Sequence, residues 1–387
     1  MGQRKRIAAI ITTYFPSSHA DVIVTKFLKG FPTDDGLIMP EVDIVSMYMD
    51  QIHENDIGIG LANHHGVPIY PNIRRALTMD SKELAVDGVL LIGEHGDYTL
   101  NEKGQQLYPR KYFMEQICGV IAASGKSVPV YCDKHLSYNW QDARWMYDRA
   151  KSLNVPFMAG SSLPLGWRSP WLEHPLNTPI EEAISIAFGG LESYGFHALE
   201  LLQCMVERRT GGETGIRAVQ CLEGDDVWKA GEDGRWSKEL AEAALARIEN
   251  KKDGDMKSQC QSPAVFLLEY ADGLRAAVLM LNGYMNGWGY ASRVNGQIKA
   301  TEVILSGPPY IHFSYLSLNI QKLFLTGIPP YPVERTLLIS GALDALMESC
   351  YQGHRRIETP HLDIHYCSYD EMPIRPLLPK PSYICRS

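Results

Sequence analysis

No apolar run in this chain approaches the roughly 20 residues that a membrane-spanning helix requires, so no transmembrane segment is expected. The basic start, Arg4, Lys5 and Arg6, leads into a short apolar strand rather than a signal-peptide core, which points to a cytoplasmic protein. Long runs of one charge sign are also missing. The net charge of −8 is spread along the chain, which argues against nucleic acid or a membrane surface as partner and favours small neutral or cationic molecules. The eight cysteines include no CxxC pair and no regular spacing, so they read as scattered reduced thiols rather than a structural zinc site. Cys132 lies in a charged turn, where a packed thiol is expected rather than a nucleophile. Internal repeats and low-complexity tracts are absent too.

What is present is apolar content, 45% over 387 residues, enough for two cores. The first part alternates: a strand over 6–14, a helix over 20–30, a strand over 42–49 ending at Asp50, a small helix, a segment over 73–77, a strand over 86–92, a helix over 112–123, a strand over 128–131, and a helix opening near Asn139. That alternation predicts a Rossmann-like, doubly wound parallel sheet. Beyond Ser162 the pattern changes. An irregular Pro- and Trp-rich connection, 163–179, precedes a strand over 180–188 and a helix over 194–207, and further strands follow over 216–222, 264–270, 274–281 and 298–305. Hairpin signals at Asp272-Gly273 and Asn295-Gly296 predict an α+β unit with a large, mostly antiparallel open sheet. A charged helix over 237–250 and a polar loop over 251–262 read as a surface excursion, and helices over 313–326 and 333–352 close the chain before a final extended piece. The expected division is 1–162 and 163–387, with the carboxyl-terminal segment packing back on the first domain.

The stretch over 128–162, running strand, charged turn, helix, strand, is the centre of the chemistry. It places Lys134 at the carboxyl end of a strand, in the crevice where open α/β sheets bind ligands. The turn after the 86–92 strand, GEHGDY, gathers Glu94, His95 and Asp97 beside it. Three roles fit: metal ligands, with His135, His197 or Glu200 completing the shell; acid/base groups; or a hydrogen-bonded loop. His64-His65 before Gly66 suits a helix carboxyl terminus. His361, Asp363 and His365 alternate, so a strand would present them on one face, most simply an exposed polar one. The aromatic stretches 284–290 and 167–171 suit sugar stacking, core or interface.

The order of elements resembles the Gfo/Idh/MocA family, the glucose-fructose oxidoreductase and inositol dehydrogenase group. Asp133-Lys134-His135 after a strand resembles the family's Glu-Lys-Pro turn; Gly195-Phe196-His197-Ala198-Leu199-Glu200 resembles its Gly-x-His-x-x-Asp helix; the 324–330 bend and the helix to Gly353 resemble its closing segment. The resemblance implies an NAD- or NADP-dependent oxidoreductase acting on a sugar, polyol or glycoside, forming homo-oligomers through the second sheet. It implies that Lys134 orients the substrate hydroxyl and His197 moves its proton, with Glu200 one helical turn away to hold the imidazole. Asp50 stands where a ribose-binding acid would sit. Two departures are visible. The positions of GxGxxG fall at Ile11, Thr13 and Pro16, so the pyrophosphate turn lacks its glycines, although Thr12, Thr13, Ser17 and Ser18 beside a helix start suit an anion. GEHGDY replaces a Thr-Pro-Asn-like turn beside the nicotinamide. A second reading follows: a lyase, hydratase or hydrolase acting on a sugar without ordinary dinucleotide binding, through Glu94, His95, Asp97, Lys134 and His197, with or without a divalent metal. A non-catalytic binding or scaffold protein is the third.

Overall fold

The computed structural model describes residues 4–376; Cys385 lies outside them. Five parallel strands form the first sheet in the order Val42–Met49, Lys5–Ile11, Gly88–Ile92, Val130–Asp133, Phe157–Gly160. Lys5–Ile11 is followed on one side by its sequence successor and on the other by Gly88–Ile92, so the strand order reverses between them. That reversal opens a crevice at the carboxyl ends of the strands. The strands are short, β-branched and buried on both faces, as a sheet covered on both sides requires. Helices His19–Lys29 and Trp140–Ser152 begin at Ser18 and Asn139, whose side chains accept from the Asp21 and Asp142 amides. Helix Ile311–Thr326 returns to this sheet, packing Leu316, Ile320 and Phe324 into one cluster with Ile7, Ile11 and Val24.

The second sheet has eight strands, ordered Ile357–Glu358, Ile216–Glu223, Ser262–Tyr270, Arg275–Asn282, Ile180–Ala187, Trp288–Val294, Gln297–Ile304, Trp167–Ser169. All pairings are antiparallel except Arg275–Asn282 with Ile180–Ala187. One face packs on helices Ser193–Val206 and Glu334–Tyr351. The other is not open. Leu240, Ala244 and Leu245 of the predicted surface excursion, together with Val227, Trp228 and Trp236 just before it, cover Ile184, Ile186, Leu267 and Leu279, so these segments pack on the sheet.

The main strands and helices lie where the periodicity places them, with ends shifted by no more than three residues, apart from the charged helix, which is shorter, Lys238–Leu245. Elements without a clear pattern differ. Trp288–Val294 is a full strand, paired across the Asn295-Gly296 turn. Trp167–Ser169 is a short edge strand inside the expected irregular connection, with Trp167 fully buried rather than presented to a ligand. The 361–365 segment is no strand: Pro360–Leu362 forms a 3-10 turn, His365 pairs with Asp363 at the surface, and His361 lies against Trp140.

The closing helix Glu334–Tyr351 and the carboxyl-terminal segment are tied to the end of helix Ser193–Val206 by buried charge. Arg335 Nε donates to Glu207 Oε2 at 2.8 Å and Nη2 to Oε1 at 2.5 Å, while Tyr366 and Ser368 hydroxyls complete the carboxylate at 2.9 and 2.7 Å. Both partners are buried. An R335M variant leaves this carboxylate without its cation and is expected to lose about 3–5 kcal/mol in denaturant unfolding. The R335M/E207L double variant is expected to lose less than R335M alone, since no unpaired charge then remains.

Candidate active site at the strand ends

Glu94 is the hub of the site. Its carboxylate accepts from Lys134 Nζ at 2.7 Å on one oxygen and from the Arg110 guanidinium on the other. Burial alone would raise the Glu94 carboxyl, but Lys134 and Arg110 hold it well below the usual carboxylate range. Arg110 reaches this position because Gly93 has no side chain: a Cβ there would lie 2.5 Å from Arg110 Cγ. The network continues through His135, 3.4 Å from Arg110 Nη1 and 3.3 Å from Glu192 Oε1. Lys134 follows strand Val130–Asp133 in a left-handed conformation, φ 63°, which sends the chain back toward Gly160. One donor of its ammonium is used by Glu94, and the others have no partner among the described residues.

His197, on helix Ser193–Val206, is partly buried, and its Nδ1 lies 2.6 Å from Ser161 Oγ. Its Nε2 has no hydrogen-bond partner among the described residues. Burial, then the Lys134 ammonium, push its titration well below 6.5, so the imidazole is neutral in the physiological range. Ser161 Oγ also accepts the Leu163 amide at 3.0 Å. Its hydroxyl can donate to Nδ1 or accept from it, so both tautomers of His197 are accommodated and Nε2 can take up or release a proton.

Glu200 does not hold His197 directly. Its Oε2 accepts the Ser161 amide at 3.3 Å, and Oε1 lies 3.1 Å from Thr336 Oγ1, which is also 3.1 Å from the Ala159 carbonyl. Thr336 has one hydroxyl proton for two acceptors, an arrangement satisfied when Glu200 is protonated. Burial indeed raises Glu200 to about 7. Gly160, at φ 127°, is required beside it, since a Cβ would meet Glu200 Oε2 at 2.8 Å. Glu200 therefore positions His197 through Ser161.

Above these groups, Tyr194 stacks on Trp288 with centroids 5.8 Å apart, and both rings lie edge-on to His197 at 6.3 and 6.2 Å. They line a cavity of about 240 Å³ with Phe188, Ser306, His312 and Phe313. Phe313 in turn lies 5.5 Å from His19, whose Nδ1 is 2.6 Å from Asp133 Oδ2. A larger cavity, about 600 Å³, lies between Tyr147, Pro330, Val333 and Tyr369. It is at the amino-terminal end of strand Phe157–Gly160, and neither Lys134 nor His197 lines it.

The remaining expected residues fall into place unevenly. His95, at φ 68°, packs against Phe15 and His19, and burial lowers it to about 4. Asp97 is exposed, with its backbone bonded to Gln51. His95, Asp97, His197 and Glu200 do not converge on one point, which corrects the metal-ligand alternative: among the described residues, the one set of three or more His, Cys, Asp or Glu ligand atoms brought together lies elsewhere. Glu94, expected at a cofactor, is saturated by Lys134 and Arg110. Cys132 is buried in the strand and pushed up to about 12, a packed thiol. Asp50 is exposed and accepts from the Tyr48 and Tyr98 hydroxyls at 2.6 and 2.7 Å. Arg110, Ser161, Glu192 and Thr336 were not singled out by sequence; only Ser161, at a strand's carboxyl end, carried a positional signal.

A dinucleotide fits this crevice at its ends and not at its middle. Asp50 offers an exposed carboxylate at the end of the second strand, and Lys134 and His197 face the reactive end. The phosphate turn is different. Thr12 Oγ1 is committed to the Glu94 carbonyl at 2.7 Å, Ser18 caps its helix, and the Ser17 amide is taken by Asp21 Oδ2 at 2.8 Å. Thr13 Oγ1 is unpartnered but buried. A carboxylate thus occupies the amide an anion would use.

No protein-family model matches the sequence, and no curated protein sequence does. Solved structures match across the chain. GenD2 from gentamicin A biosynthesis, in complex with NAD, aligns at TM-score 0.58 and 17% identity over 92% of this chain and 97% of its own. Scyllo-inositol dehydrogenase from Lactobacillus casei, with NAD(H) and scyllo-inositol, aligns at 0.55 and 11% over 92% and 99%. Myo-inositol 2-dehydrogenase from Lactobacillus plantarum aligns at 0.53 and 12% over the same shares. The fold is the Gfo/Idh/MocA fold. In this fold, the site described above lies where the two sheets meet, with Ser161 from the first bonded to His197 from the second. Among the described residues, no helix is long and apolar enough to cross a membrane.

The protonated state of Glu200 sets a pH dependence. Its folded value, about 7, lies above the ordinary 4.5. Between these values the folded protein keeps a proton that the unfolded chain has lost, so stability falls as pH rises from 4.5 to 7 and the loss is complete above 7. E200Q keeps the hydrogen bonds without the charge. It is expected to flatten this dependence and to gain up to roughly 3 kcal/mol over the parent at alkaline pH, read by denaturant midpoints across pH.

Proposed function

We propose that this chain is an enzyme that oxidises or reduces a hydroxyl-bearing carbon of a sugar or polyol in the cleft between its two sheets. The observation that carries the reading is His197: a neutral imidazole, held at Nδ1 by Ser161, with Nε2 free beside the Lys134 ammonium. Lys134 binds the reacting oxygen and stabilises negative charge as its proton leaves, and His197 Nε2 accepts that proton or returns it in reduction. Tyr194 and Trp288 supply the flat apolar surface against which a sugar ring packs, which also excludes water from the reacting carbon. A nicotinamide dinucleotide, when bound, accepts or donates the hydride; Asp50 is the residue placed to hold its ribose. The dehydrogenases of the same fold, two of them with NAD in their structures, support this reading.

A second reading is favoured by the phosphate turn. With no glycine at Ile11, Thr13 or Pro16 and the Asp21 carboxylate on the Ser17 amide, the same Lys134 and His197 pair suits proton abstraction in a lyase, hydratase or hydrolase acting on a sugar without hydride transfer.

Titration of the purified protein with NAD and NADP, followed by a panel of sugars and polyols with nicotinamide absorbance as readout, separates the two. The expected result is submillimolar binding of one dinucleotide and turnover that falls by about 10²–10⁴-fold in H197Q and K134M while dinucleotide binding persists. Sugar consumption with no dinucleotide binding would establish the second reading in its place.

A further inference from the structure

Far from the cleft, at the edge of the second sheet, four side chains of metal-binding type converge. Cys221 and Glu223 are two residues apart on strand Ile216–Glu223 and so share a face. Cys350 stands in the last turn of helix Glu334–Tyr351, and His354 follows a reversal in which Gly353 and His354 both adopt left-handed conformations, φ 69° and 66°. Their ligand atoms all lie within 4.8 Å of one another. A tetrahedral zinc ion with Zn–S near 2.3 Å separates two thiolates by roughly 3.8 Å, so closing the site around an ion takes only side-chain adjustment.

The histidine is already oriented for this. Its Nδ1 lies 3.2 Å from the Cys221 carbonyl, which can only accept, so Nδ1 is the donor there and Nε2 is the nitrogen left for an ion. Nε2 faces Glu223 Oε2 at 4.0 Å. The surrounding backbone is pinned as well: the Cys221 amide donates to Ser349 Oγ at 3.0 Å, and the His354 amide to the Ser349 carbonyl at 2.7 Å. The geometry points to a structural zinc site formed by Cys221, Glu223, Cys350 and His354. Two sulfurs, an imidazole and a carboxylate suit Zn²⁺ over Mg²⁺ or Ca²⁺. The ion would join the end of the long closing helix to the sheet edge, just before the chain adds its last strand, Ile357–Glu358. This inference is independent of the reaction proposed above.

Metal analysis of the purified full chain, with Co²⁺ replacement as a spectroscopic probe, tests it. The expected result is one zinc per chain, a thiolate-to-cobalt charge-transfer band, and a melting temperature lowered by several degrees after chelation and restored by Zn²⁺ alone. C350S and H354A are expected to lose the metal; if C350S fails to fold, E223A reports through at least a tenfold weaker zinc affinity. Protein that carries no zinc and takes up no cobalt, cobalt binding that survives C350S unchanged, or mass spectrometry showing Cys221 and Cys350 joined as a disulfide would overturn the site.

Discussion

The buried pairing of Glu94 with Lys134 and Arg110 is the constraint on which the cleft depends. Three charged groups are removed from water at the carboxyl ends of two adjacent strands, and the desolvation cost of such a group is offset only while every partner is present. Glu94 therefore fixes two things together: the left-handed turn at Lys134 and the path of Arg110 over Gly93. Of the charged groups around His197, the Lys134 ammonium acts on it most strongly and disfavours a second cation there. That effect, added to burial, keeps His197 neutral, and a neutral imidazole is what a base at this position requires. A network of this kind contributes little net stability; its consequence is the placement and protonation of groups.

The second sheet contributes the complementary half. His197 and Glu200 sit one helical turn apart, yet they are linked through Ser161 from the first sheet, so the acid/base group is completed only when the two sheets pack together. Glu200 and Thr336 lie underneath, close against Gly160. The chain thus positions one imidazole using a strand end, a helix from the second unit and the long closing helix. Closure by helix Ile311–Thr326 and the Arg335–Glu207 pair holds those pieces in register.

Much of this frame was legible in the sequence, because alternation between β-branched runs and amphipathic helices is imposed by burial. Lys134 and His197 could be found for the same reason: each follows a strong periodic element at a position with defined geometry. Arg110, Glu192 and Thr336 could not, since their roles arise from contacts between segments far apart in the chain, and nothing local distinguishes them from ordinary polar residues. The GEHGDY turn was conspicuous for its chemistry but misleading in its use: Glu94 is an internal counter-ion, His95 packs among aromatics, and Asp97 faces solvent. The second sheet's cover was invisible for a different reason. A short charged helix shows its polar face in the sequence, while the apolar face that closes over Ile184 and Leu279 becomes evident only once the sheet exists. Cys221, Glu223, Cys350 and His354 are likewise scattered in sequence and joined by strand, helix and turn.

The central claim, that the Lys134 side of the cleft holds His197 neutral and available, is tested most directly by NMR titration of the His197 imidazole in the parent protein and in K134M. The His197 ring is expected to stay neutral to well below pH 6.5 in the parent and to titrate higher in K134M, though still below an exposed histidine because burial remains. A His197 that protonates at or above 6.5 in the parent, or a value unmoved by K134M, would contradict it.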